Sequence, residues 1–231
     1  MEDLERYGDY TEYEDDIPKG KKNPVIRILK ILVAVICISV IGIFAFRLIV
    51  FNYYPDSMSD IYFTENLKEY YYETDGNIGA ITQDLRAPYD DPDVASFFCD
   101  NLIVIRGAGE IQLSVRYNSS SINTIQEKLK LEKLDPESEK IFTFRLEDNW
   151  GRVYDASYVG RDSFMMYNYF KLAFDKIPFD DEEKPVEWMR LQVFVEGQKD
   201  DKAHFLVAVY EDNSVYSKFD EYELSSEEKP Q

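Results

Sequence analysis

The stretch IQLSVRY, Ile111–Tyr117, alternates apolar and polar residues without a break. Strand side chains point to opposite faces with a period of two. Ile111, Leu113, Val115 and Tyr117 therefore read as a core face, and Gln112, Ser114 and Arg116 as a solvent face. Leu102–Arg106 and the turn Gly107-Ala108-Gly109 precede this stretch and make the pair a hairpin. The same period recurs downstream. Ile141–Leu146 is closed by Asp148-Asn149-Trp150-Gly151, with Arg152–Ala156 returning from the turn. Met189, Leu191, Val193 and Val195 alternate, residues 197–201 turn, and Ala203, Phe205, Val207 and Val209 alternate again. Phe164–Phe174 is aromatic and extended, Pro178 ends the next turn, and Val215–Phe219 is a weaker strand.

One short helix interrupts this series, Ile122 to Lys130, capped by Ser120 or Ser121, with Ile122, Ile125 and Leu129 on one face. Seven or eight short strands joined by short connections predict an antiparallel β-sandwich over residues 86–222. Arg86–Asp93 carries Pro88 and Pro92 and reads as loop. Residues 53–85 read as a connector, helical from Thr64 to Tyr72 with Thr64 as cap, and residues 223–231 as an acidic tail.

Upstream the pattern changes to a continuous apolar run. Ile31–Phe46 is uncharged and almost wholly apolar, and after Arg47 the run resumes through Phe51. A helix from Ile31 to Phe51 would be about 32 Å long, enough to cross a hydrocarbon core of roughly 30 Å. Lys19, Lys21, Lys22, Arg27 and Lys30 crowd its N-terminal flank, against Arg47 and Lys68 on the other side. The positive-inside rule then predicts a cytoplasmic tail (residues 1–24), a spanning segment (residues 25–52) and an extracytoplasmic remainder. Lys30 and Arg47 are the expected interface cations, and Tyr53 and Tyr54 the expected aromatic belt. The long acidic start is unlike a cleavable signal, so the segment reads as a signal anchor in the plasma membrane. Ile36, where a lipoprotein signal needs a small residue, argues against lipidation of Cys37.

Residues 52–231 hold 19 Lys and Arg against 37 Asp and Glu, a formal charge of −18. Such a surface repels phosphate backbones, which excludes nucleic acid as the expected partner. Cys99 is the one cysteine beyond the span, so the exported part holds no internal disulfide. With the single anchor, this points to a bacterial envelope protein. Asn118-Ser119-Ser120 fits the glycosylation pattern but reads as a polar turn.

Candidate chemistry is sparse. His204, the only histidine, lies opposite the apolar face of its strand, and Cys99 beside Phe97 and Phe98 reads as a buried thiol. Asp90, Asp91 and Asp93 form the densest acidic loop, a candidate calcium site without the EF-hand glycine and glutamate. Asp180–Glu183 reads as a solvated turn. No phosphate loop, zinc spacing or zincin motif occurs. No cofactor is expected, and the chain does not read as an enzyme. The remaining signal is aromatic. Trp150, Trp188, Tyr167 and Tyr169 are candidate contact residues for a protein partner or a glycan. The sequence thus predicts a non-catalytic envelope module for protein interaction. A carbohydrate-binding module is the first alternative and an acidic-residue hydrolase the second.

Overall fold

The computed structural model describes residues 24–52, 56–85, 87–88, 97–165, 167–198, 203, 205–211, 220–224 and 228–230. Tyr53, Tyr54, Asp90, Asp91, Asp93, His204 and the Val215–Phe219 strand lie outside these residues, as does the chain before Pro24. The chain divides into two compact units, Met1–Asn52 and Tyr53–Gln231. The first contains helix α1, Pro24–Asn52. Proline at a first helical position leaves no backbone donor orphaned. Pro24–Ile49 is long and apolar enough to cross a membrane.

The second unit is mainly β, with three further helices among the described residues: α2 (Asp56–Ser59), α3 (Glu65–Glu73) and α4 (Ser119–Leu129). Its strands are β1 (Ile81–Gln83), β2 (Ala87–Pro88), β3 (Phe98–Ile105), β4 (Glu110–Tyr117), β5 (Phe142–Asp148), β6 (Val153–Asp155), β7 (Tyr158–Phe164), β8 (Tyr167–Phe174), β9 (Trp188–Val195), β10 (Phe205–Glu211) and β11 (Asp220–Glu221). They form two antiparallel sheets. The first runs β11-β1-β3-β4-β8-β7, with β2 also on β3, and the second runs β10-β9-β5-β6. The expected extended segment Phe164–Phe174 is strand β8 from Tyr167 on, and its start is the turn of a hairpin. Its turn at Met165 takes a positive φ of 55°, and β7 and β8 are the two arms.

The inner faces of both sheets contribute to one apolar core. Phe170 of β8 lies 5.2 Å from Phe144 of β5, and Tyr117 of β4 lies 5.4 Å from Phe142. Helix α4 adds Ile122 and Ile125 to this core. Its cap is Asn118 rather than a serine: the Asn118 side-chain oxygen accepts from the Ser121 amide at 2.9 Å. The β3–β4 hairpin turns through Arg106–Ala108 and Gly109, which takes a φ of 62°. A side chain there would begin 2.7 Å from the Ile177 carbonyl oxygen, so both backbone angle and space require glycine.

The outer face of the first sheet departs from the alternation rule. Glu110, Gln112 and Ser114 are 0 % exposed and Arg116 is 3 % exposed, so β4 is buried on both sides. What covers it is the segment that follows the apolar helix in sequence. Gln112 accepts from the Tyr62 amide at 2.8 Å and donates to the Tyr62 carbonyl at 2.5 Å. It also donates to Glu110 at 2.7 Å, while Thr64 donates its hydroxyl proton to Glu110 at 2.6 Å. Ser114 donates to the Met58 carbonyl at 2.8 Å. Thr64 caps α3, as the sequence predicts, by accepting from the Leu67 amide at 3.0 Å. Leu67, Ile61, Ile78 and Ala80 pack on Ile103 and Ile105 of β3 in a second, smaller apolar cluster. Glu110, Gln112 and Ser114 therefore satisfy a covering strap instead of facing water, while Arg116 pairs with Asp100 of β3.

The C-terminal residues join the same layer. β11 pairs with β1, and the Tyr222 amide donates to the Ala80 carbonyl at 2.9 Å. Glu228, in the acidic terminal run, accepts from the Ile61 amide at 2.9 Å.

Replacing Gln112 by Met keeps its length and removes its donors and acceptor. The Tyr62 amide and carbonyl then lose their partner, at a cost of about 2 kcal/mol. Urea unfolding of the full chain in detergent is expected to show this loss. A change below ~0.5 kcal/mol, the value for an ordinary surface site, would contradict the buried assignment.

Candidate functional site

The structure separates the four candidate aromatics into two pairs. Tyr167 and Tyr169 are 9 % and 3 % exposed, on the outer face of the first sheet. The Arg116 guanidinium lies over the Tyr167 ring at 4.9 Å, and the Tyr169 hydroxyl donates to Asp162 at 3.1 Å. These two rings are packing elements of the covered layer and not a platform open to solvent. Their alternation in sequence was real, but Arg116 and Asp162 meet them on the side it pointed to.

Trp150 and Trp188 belong to the second sheet and to one end of it. Trp150 sits in the β5–β6 turn and is 49 % exposed. Trp188 opens β9, whose next residue, Met189, pairs with Asp148 at the end of β5. Arg190, two residues on and so on the same face, places its guanidinium 4.2 Å from the Trp188 ring centroid. Glu147 of β5 is registered with both Arg190 and Val153, and Val153 is itself exposed. Further along this face Arg145 lies 5.1 Å over Phe194 and pairs with Asp155 at 2.9 Å. Gln192 donates to Glu147 at 2.6 Å. The outer face of the second sheet thus carries aromatic rings under arginines, with acids between them.

The loops that hold Trp150 are built around one carboxylate. Asp148 is 0 % exposed and accepts four hydrogen bonds. They come from the Trp150 amide (2.9 Å), the Arg152 amide (2.9 Å), the Arg152 Nε (2.5 Å) and the Tyr154 hydroxyl (3.0 Å). Arg152 reaches on to Asp181 at 3.0 Å and to the Lys184 carbonyl at 3.0 Å. The Trp150 indole donates to the Pro185 carbonyl at 2.8 Å, and Asn149 accepts from the Glu187 amide at 2.9 Å. Asp181 accepts the amides of Glu183 and Lys184, which makes the acidic run 180–183 a structured turn tied to the tryptophan loop. Burial alone would raise the Asp148 pKa, but the Arg152 and backbone hydrogen bonds outweigh it and hold the carboxyl below its ordinary value.

Neither Asp148 nor Arg152 stood out in the sequence. The signal available was local, an aspartate opening a turn that ends in Gly151, which is a side-chain-capped turn. Arg190 had no signal beyond its even spacing from Trp188. Cys99 is 1 % exposed, and burial followed by the Asp100 charge pushes its thiol pKa far up, which leaves an inert thiol. Among the described residues no cluster of three His, Cys, Asp or Glu side chains is arranged to hold a metal ion.

Asp148→Ala removes the common acceptor of the turn and is expected to cost about 3 kcal/mol. The stabilisation from a carboxyl held below its ordinary pKa is complete above that ordinary value and is lost as pH falls through the folded-state value. The difference in unfolding free energy between wild type and Asp148→Ala should therefore be level from pH 5 to 7 and shrink below pH ~4. A difference that stays level down to pH 2 would contradict the ionised, hydrogen-bonded carboxylate.

Compared with known proteins, the chain matches no family model, no curated sequence and no solved structure.

Proposed function

We propose that the chain is a single-pass plasma-membrane protein whose β domain, read as a β-sandwich, is a non-catalytic docking module for another envelope or membrane protein. The N-terminus is cytoplasmic in this reading, because lysines and arginines concentrate before the apolar helix. The domain then lies on the extracytoplasmic side.

The observation that carries the proposal is the presentation of Trp150 and Trp188. Both sit at one end of the second sheet, Trp150 in a turn fixed by the buried Asp148 carboxylate and Trp188 at the start of β9, beside the Met189 that pairs with Asp148. Tryptophan and arginine dominate binding energy at protein interfaces, and rigid presentation lowers the ordering cost of association. The glycan alternative needed an open aromatic platform, and its support falls with the burial of Tyr167 and Tyr169. The hydrolase alternative needed two carboxylates facing each other across a cleft. Asp148 is instead consumed by structural hydrogen bonds.

The test is crosslinking of the full-length protein in its native membrane, followed by extraction and identification of adducts. Trp150→Ala combined with Trp188→Ala is expected to reduce the specific adduct at least tenfold, in keeping with hot-spot losses of about 2 kcal/mol or more. Thermal unfolding should confirm that the variant remains folded. An adduct that survives both substitutions, or survives deletion of residues 56–231, would overturn the proposal.

A further inference from the structure

Arg190 stands exposed on the outer face of β9, two residues from Trp188. Residues 52–231 hold 37 acids against 19 bases, so an arginine of this domain has carboxylates in excess. Arg116, Arg145, Arg152 and Arg161 each meet one at 3.0 Å or less. Arg190 does not. Among the described residues its guanidinium has one partner, the Trp188 ring, whose centroid lies 4.2 Å away.

The carboxylate that the sheet places opposite Arg190 is turned aside. Glu147 of β5 is registered directly across from Arg190, where side chains share a face. Its carboxylate instead accepts from Gln192, the next residue on that face of β9, at 2.6 Å. The Arg190 donors are thus left for an acceptor from outside, while the indole fixes the plane in which they lie. A planar fork already held in place loses little freedom when it takes a carboxylate through two parallel hydrogen bonds.

We propose that the partner docked on the second sheet presents an acidic segment, with one aspartate or glutamate carboxylate seated on the Arg190 guanidinium beside Trp188. This rests on the docking reading above and adds the chemistry of what docks. Charge complementarity selects the carboxylate. A lysine or arginine from the partner would meet Arg190 as a like charge. A wholly apolar surface would bury the guanidinium unpaired, which is costly. The domain's formal charge of −18 opposes an acidic segment from a distance. That field is screened over about 8 Å at physiological ionic strength, so the contact at Arg190 decides the docked state.

The experiment replaces the guanidinium with an amine and identifies the carboxylate it reaches. Full-length Arg190→Lys in its native membrane is treated with a carbodiimide. The reagent joins an amine to a touching carboxylate as an amide, adds no spacer, and leaves as its urea with the water removed. Mass spectrometry of the crosslinked peptides is expected to show position 190 joined to an aspartate or glutamate of a different polypeptide. Arg190→Gln, which carries no amine, is the blank.

The longer-arm crosslinking used to test docking is repeated with Arg190→Glu. Its specific adduct is expected to fall at least about tenfold, as when one side of an interfacial charge pair is reversed. Thermal unfolding of this variant should match wild type, since the side chain is exposed. An amide from position 190 only to Glu147 of the same chain, no amide at all, or an undiminished adduct in Arg190→Glu would each overturn the proposal. Those outcomes leave the docking reading standing as long as the adduct still depends on Trp150 and Trp188. An adduct indifferent to both tryptophans removes the docking reading, and this proposal with it.

Discussion

Gln112 holds the amide and the carbonyl of Tyr62 with the two ends of one side-chain amide, 2.8 and 2.5 Å away. In doing so it acts as a strand partner made from a side chain. The backbone of the strap has no sheet of its own at this point, and buried peptide groups must be paired. Glu110, Ser114 and Lys171 extend the arrangement along the same face by meeting Thr64 and the Met58 carbonyl. Once these contacts form, Leu67 and Ile61 can close over Ile103 and Ile105. The first sheet becomes a central layer covered on both sides, and the second sheet is left to supply the exposed face.

This arrangement also distributes charge within a strongly acidic domain. Glu110 is raised above its ordinary pKa by burial, opposed by hydrogen bonds from Thr64, Gln112 and Asn66. Among the described residues its side-chain hydrogen-bond partners Thr64, Gln112 and Asn66 are neutral donors. Arg116 and Asp100, by contrast, meet as an ion pair at 3.0 Å that is almost wholly out of water. A buried pair of this kind adds little net stability but is costly to break on one side. It links β3 to β4 beside the register shift at residues 100–102.

Much of the architecture was legible in the residues. The apolar run was plain, and it is a helix long and apolar enough to cross a membrane. The β3–β4 hairpin, β5, β9 and β10 followed from period-two alternation, and α3 from Thr64 as a cap with Leu67 inward. What alternation cannot report is what the polar face meets. Gln112 and Ser114 look the same in sequence whether water or a strap completes their hydrogen bonds. The same ambiguity hid Lys171, which reads as a solvent-facing residue between Phe170 and Leu172. Of the four candidate aromatics, Trp150 and Trp188 came together because a turn and a strand start happen to adjoin. That adjacency rests on the pairing of Asp148 with Met189, a contact across forty residues that no local pattern encodes.

The strap has a kinetic side as well. Met58 meets Lys171 across 113 positions, and Ile61 meets Glu228 across 167. Closing such loops carries entropy that is recovered only when both ends are present, and folding slows as contacts become more remote in sequence. In a chain delivered amino end first, residues 58–66 arrive before every strand they are to cover. Ile61 and Leu67 stay open to water until β3, which they cover, has followed them. The Ile61–Glu228 contact can form only when the whole domain has been made, so until then this end of the strap lacks one of its partners.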